Sequence, residues 1–222
     1  MKFVVAPDGD SAARLAAASI ARRLARAVRV RGEASVAFSG GRTPGLMLAA
    51  LAEHSLPWGQ IDVFQVDERV APDGDPARNA QLLEVLPRSV RRVALMPVTA
   101  QRLGAAAQRY AALLPERLDV VHLGLGADGH TASWPPGDPV IDAAESVALS
   151  GVYQGTIRMT LTPHVVNAAW ARVVLAVGAD KADPVQRWLR GDTSVPVSRV
   201  HRAGTTVYLD SAAASDGVAA RR

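Results

Sequence analysis

One histidine stands in a setting suited to catalysis. His130 follows Gly124-Leu125-Gly126-Ala127-Asp128-Gly129 at the end of an apolar run, two residues from an aspartate. Imidazole exchanges its proton near neutral pH, so a histidine held between glycines at a strand end suits acid–base work. The glycines also fit the G-x-G-x-x-G spacing of dinucleotide loops. Pro135-Pro136-Gly137 arrives too soon for the crossover helix that reading needs, and no such fingerprint follows the first apolar run. The segment is read instead as a glycine-rich loop aiming Asp128 and His130 into a cleft. The other histidines lack that setting: His54 ends a helix, His122 belongs to the core, and His201 lies in a polar loop. His164, after a Thr-Pro helix start, is a weaker second candidate.

Three further segments carry charge or backbone donors at strand ends. Ser39-Gly40-Gly41-Arg42-Thr43-Pro44 places two glycines before a helix, where backbone N–H groups and the positive helix end favour an anion. It lacks the G-x-x-x-x-G-K-[ST] spacing of triphosphate loops and suits a small monophosphate; its bland reading is a tight turn. Asp67-Glu68-Arg69 ends an apolar run with three charges. Arg69 offers a planar fork for phosphate, with one acid orienting it, against the bland reading of a surface ion pair. Lys181 is one of only two lysines among 25 basic residues and opens a helix after a strand. Near a phosphate it acts as a point charge. Together these suggest a phosphorylated small molecule handled by acid–base chemistry without a cofactor. There is no G-x-S-x-G elbow and no H-x-x-x-H pair.

Composition narrows the class. The chain has 222 residues, 49% hydrophobic and 21% charged, which excludes whole-chain disorder and permits one full core. With no cysteine, disulfide scaffolds, thiolate metal sites and a cysteine nucleophile are excluded. No metal is expected. No window approaches the ~20 apolar residues of a membrane span. The N-terminal apolar run is too short for a signal peptide, so a cytoplasmic location is expected. The net charge of +4 is spread along the chain and aromatics are only 5%, which argues against a nucleic-acid partner.

The elements that must position these residues alternate. Short apolar runs are read as strands at 2–6, 34–38, 61–66, 93–96, 119–123, 156–161, 172–177 and 205–209. Helical periodicity covers 8–30, 77–86, 99–114 and 180–189, with Pro44 as a first helical residue of another; 67–76 is read as a loop. This alternation predicts a single α/β domain over 1–210, an open, mostly parallel sheet flanked by helices, Rossmann-like, with a disordered tail at 211–222. In such sheets ligands lie beyond the carboxyl ends of the strands, where the four segments fall.

Taken together, the segments resemble the 6-phosphogluconolactonases of the glucosamine-6-phosphate deaminase/6-phosphogluconolactonase family, in a larger group with ribose-5-phosphate isomerases. The matching pieces are residues 39–44, 67–69, Asn79 in Ala-Arg-Asn, 124–133, 158–162 and 178–182, in family order. The resemblance implies hydrolysis of 6-phosphoglucono-1,5-lactone in the oxidative pentose phosphate pathway. It implies His130 as general base, and Arg69 and Lys181 on the phosphate with the Gly40-Gly41 loop. Asp67, Asp128 and Arg158 would line the site, and Arg42, Thr43 and Asn79 would join the substrate contacts.

Arg42 stands where the family usually has Ser, and Ser133-Trp134-Pro135-Pro136-Gly137 replaces the usual Ser-Leu-Phe-Pro-Gly. Deaminase relatives typically carry Asp-Glu-Tyr at 67–69 and His-Ile-Ala-Phe-Asn-Glu-Pro from 130, and both differences favour the lactonase. A deaminase-like or isomerase activity and a non-catalytic sugar-phosphate sensor stand as alternatives. The partner implied is the phosphosugar lactone, and a monomer and a homodimer are both compatible with the sequence.

Overall fold

Residues 1–214 are described in a computed structural model of the chain. Ten strands are present among them: β1 (Lys2–Ala6), β2 (Ala34–Phe38), β3 (Ile61–Gln65), β4 (Asp67–Arg69), β5 (Arg92–Ala94), β6 (Val120–Gly124), β7 (Val147–Leu149), β8 (Arg158–Leu161), β9 (Ala171–Ala176) and β10 (Thr205–Asp210). Seven form one sheet in the order β1-β10-β9-β6-β2-β3-β5, with every pairing parallel. Its inner strands carry apolar runs because both faces are covered; every residue of β2, β9 and β10 is buried.

Five α-helices cover those faces: α1 (Gly9–Arg31), α2 (Arg42–Ala52), α3 (Leu103–Ala111), α4 (Pro163–Ala168) and α5 (Ala182–Arg190). Helix α1 starts where Asp8 accepts a hydrogen bond from Ser11 N–H at 2.7 Å, and stops at Gly32, whose φ of +81° only glycine adopts cheaply. Its buried stripe of Ala12, Ala13, Ala16, Ala17, Ile20 and Leu24 joins Met47, Leu48 and Leu51 of α2 in the core on one face. The opposite core gathers Tyr110 of α3, Trp188 of α5 and the underside of a second, smaller sheet.

That second sheet corrects the expectation of a loop at 67–76. Strands β4, β8 and β7 pair antiparallel, with Asp67 opposite Thr160 and Arg69 opposite Arg158. The chain leaves the large sheet at Val66, whose N–H donates to Phe38 and whose carbonyl accepts from Leu161 N–H at 2.7 Å. Helix α2 begins two residues before Pro44, at Arg42. Residues 79–85 and 179–181 wind as 3₁₀ rather than α-helix, and α3 is shorter than the 99–114 expected. Trp134, at the altered segment after His130, is fully buried and donates its indole N–H to the Leu161 carbonyl at 2.8 Å. The tail does not start at Ser211: Ser211 Oγ donates to the Ala6 carbonyl, and buried Ala213 donates its N–H to the Asp210 carboxylate. The rest of the expected tail, 215–222, lies outside the described residues. No helix among the described residues is long and apolar enough to cross a membrane.

His122 is a core residue, as expected. It is fully buried on β6, neither ring nitrogen has a hydrogen-bond partner, and burial pushes it down to about 3. The unfolded chain takes up that proton near ~6.5, so stability is lost progressively as pH falls from there toward 3. We expect His122→Leu to shrink the drop in melting temperature between about pH 7 and pH 4 by several degrees. An unchanged drop would assign acid sensitivity to other groups.

Candidate active site

A cavity of about 370 Å³ opens over the carboxyl ends of β9, β6, β2 and β3, four strands adjacent in the sheet. Each contributes the segment that follows it. After β2 the chain turns through Ser39-Gly40 to Gly41, whose φ of +117° caps α2 without any side-chain hydrogen bond. The first N–H groups of α2 are therefore presented to the cavity beside Thr43. Gly40 lies so close to the Asn79 amide that a Cβ would collide with it. Arg42 is exposed, lines the cavity rim and also faces an adjoining hollow.

Beyond β3, strand β4 sets Asp67 and Arg69 into the cavity while Glu68 points away into the protein. Glu68 is wholly buried and accepts hydrogen bonds from Arg69 N–H, Asn79 N–H, Ala80 N–H and the Gln65 amide at 2.7 to 2.9 Å. Arg78, also buried, pairs with it at 3.1 Å. Asn79 is thereby fixed: it accepts from Arg69 Nη1 at 2.5 Å and donates to the Asp67 carbonyl at 2.9 Å. The expectation that one acid of this segment orients Arg69 takes this concrete form, with Glu68 acting through Asn79. Asp67 is pushed up by its burial, against a hydrogen bond from Ser133 Oγ at 2.7 Å and the charges of Arg69 and Arg158.

Arg158 lies directly across the small sheet from Arg69 and is itself buried. Two guanidinium groups on opposed residues repel, and burial together with Arg69 holds Arg158 below the usual arginine range. An anion between them relieves both effects. Lys181 enters from the end of β9, where Gly178 turns at φ +104°, and donates to Asp180 at 2.6 Å.

After β6 the glycine loop bends tightly. Gly129 N–H donates to the Gly126 carbonyl, and Gly126 N–H to the His130 carbonyl. A Cβ at Gly126 would collide with the imidazole, so the ring packs on bare backbone. His130 lines the cavity; Asp128 does not, and stands behind the ring, 2.5 Å from Nδ1. Burial raises the Asp128 carboxyl, but hydrogen bonds from Tyr153 and His130 prevail and hold it at about 2. An ionised carboxylate only accepts, so Nδ1 carries the proton and Nε2 is free to act as a base. The next turn holds Ala132 at φ +51°, an expensive conformation for a residue with a Cβ, beside the cavity.

All the residues expected at the site converge there, with Asp128 in the supporting layer. His164 and His201 do not line it. Three contributors went unnoticed in the sequence. Ser133 ties the histidine loop to Asp67, and Tyr153 and Gln154 reach the site from the hairpin tip between β7 and β8. The hairpin carries one legible signal, a Gly at the second position of the Gln154-Gly155 turn, where φ is +84°. Among the described residues no group of three or more His, Cys, Asp or Glu side chains could hold a metal ion.

A doubly covered parallel sheet with a cationic cleft at its switch point defines an open α/β protein with its cavity at the strand ends. Residues 7–208 match the family model described as glucosamine-6-phosphate isomerases/6-phosphogluconolactonase. A 6-phosphogluconolactonase of Streptomyces coelicolor is 36% identical, with 96% of this chain and 94% of the relative covered. The structure of a 6-phosphogluconolactonase from Shewanella baltica superposes with a TM-score of 0.85 at 23% identity, covering 95% of this chain and 98% of that one. A monomeric glucosamine-6-phosphate deaminase superposes with a TM-score of 0.84 at 18% identity, covering 96% and 98%, so the fold is common to both activities. The chain belongs to the glucosamine-6-phosphate isomerase/6-phosphogluconolactonase family.

Proposed function

We propose that the protein hydrolyses 6-phospho-D-glucono-1,5-lactone to 6-phospho-D-gluconate, with His130 as general base. The observation that carries this reading is the Asp128–His130 pair, which engages Nδ1 and leaves Nε2 as the uncommitted ring nitrogen in a cavity that also holds Arg69, Arg158 and Lys181. Likeness to 6-phosphogluconolactonases over most of the chain supports this choice of substrate.

His130 Nε2 takes a proton from water as its oxygen attacks the lactone carbonyl carbon. Negative charge builds on the carbonyl oxygen, where hydrogen-bond donors lower the barrier. The tetrahedral intermediate collapses by breaking the bond to the ring oxygen. Protonated His130 returns its proton there, releasing the 5-hydroxyl, and the new carboxylic acid ionises to solvent. Asp128 stays ionised throughout and balances the imidazolium. Arg69 and Lys181, with the start of α2, grip the phosphate far from the reacting carbon and orient the ring.

The test is lactone disappearance, with substrate generated in situ and the uncatalysed rate subtracted, run beside ammonia release from glucosamine 6-phosphate. Acceleration of the first alone is expected; ammonia release alone would replace the lactonase reading by the deaminase one. Arg69→Ala should raise KM about 10- to 100-fold while kcat moves little, the size of one lost charge-assisted contact. An unchanged KM would remove Arg69 from the phosphate.

A further inference from the structure

The geometry points to Tyr153 as a positioning residue that holds the Asp128–His130 pair in its working tautomer. Its hydroxyl donates to Asp128 Oδ2 at 2.6 Å, while Oδ1 of the same carboxylate faces His130 Nδ1 at 2.5 Å and His130 N–H at 3.1 Å. Each carboxylate oxygen thus has its own partner. The tyrosine oxygen is also 3.2 Å from His130 Nδ1. It has one proton, given to Asp128, so toward the ring it can only accept. Both neighbours of Nδ1 are then acceptors, and the tautomer with the proton on Nδ1 is enforced from two sides.

Asp128 needs this help. Its side chain is 37% exposed on a loop, and a carboxylate anchored through one oxygen can rotate away from the ring. Tyr153 is held firmly enough to prevent that. Gln154 and Gly155 form a two-residue turn with φ of +51° and +84°, and Tyr153 and Thr156 pair across it. Gln154 donates its amide to the tyrosine oxygen at 3.2 Å and accepts from Arg158 Nη2 at 3.1 Å. The Arg158 guanidinium lies 5.0 Å over the Tyr153 ring, and the ring meets His130 edge-on at 5.3 Å. A left-handed glutamine is a costly way to build a hairpin tip, and here it supports the tyrosine at the dyad.

This assignment rests on His130 being the base of the proposed hydrolysis, and its test separates the two. Tyr153→Phe keeps the ring contacts and removes only the hydroxyl. Imidazole ¹⁵N spectra should show one tautomer, protonated at Nδ1, in the wild type and a mixture in the variant. The variant's kcat for the lactone should fall about tenfold with KM within about twofold, the scale of one charge-assisted hydrogen bond. An unchanged tautomer would overturn the positioning role whatever happens to kcat, and so would a raised KM with normal kcat, which marks a substrate contact. If the wild type leaves the lactone untouched, the proposed hydrolysis fails, while the spectra still decide the role of Tyr153.

Discussion

His130→Ala should lower kcat for the phosphorylated lactone by about 10²- to 10⁴-fold, or about 3–5 kcal/mol of barrier, with KM nearly unchanged. The fold should survive. The imidazole is partly exposed and belongs to neither core, and the turn around it is closed by backbone hydrogen bonds that a side-chain truncation leaves alone. Circular dichroism and the melting temperature should therefore match the wild type. Asp128, held at about 2, should remain ionised from about pH 5 to 9, so protonation of Asp128 should not limit the rate there. A variant with near-normal turnover, after the spontaneous rate is subtracted, would remove His130 from catalysis.

Glu68→Ala should cost about 3–5 kcal/mol of stability, a large share of what a single domain possesses. Buried Arg78 would lose its buried carboxylate and keep surface Asp73 and the Ala71 carbonyl, and the N–H groups of Arg69, Asn79 and Ala80 would lose their acceptor. Glu68→Gln retains an acceptor oxygen without the charge and should fall between the two. Urea unfolding measures both, and a wild-type midpoint for the alanine variant would refute the central place given to Glu68. Folded Glu68→Ala protein should also bind the phosphorylated substrate more weakly, because Asn79 and Arg69 are held in place through it.

Much of the architecture was legible in the residues because its causes are local. The alternation of strands and helices, the start of α1 at Asp8, and the glycine turn that seats His130 all depend on neighbours close in the chain. Parallel strands buried on both faces announce themselves as apolar runs, and the residues that follow those runs mark the edge of the sheet where ligands bind. Boundaries were less legible. Pro44 is a good first helical residue, yet α2 starts at Arg42, since the glycine turn before it already points N–H groups forward.

The sequence by itself thus determined the α/β fold, the family and the cluster of His130, Arg69 and Lys181. Tertiary structure alone decided how they are held. Strand β4 has three residues, too few for a periodicity to show, and exists because β8 supplies its hydrogen bonds from far along the chain. Glu68 reads as one charge among three at a strand end until the backbone of 79 and 80 folds over it. Tyr153 reads as a hairpin residue until β7 and β8 carry it to Asp128. Such contacts leave no local imprint, because what stabilises them is the pairing of polar groups brought together only when the core has formed.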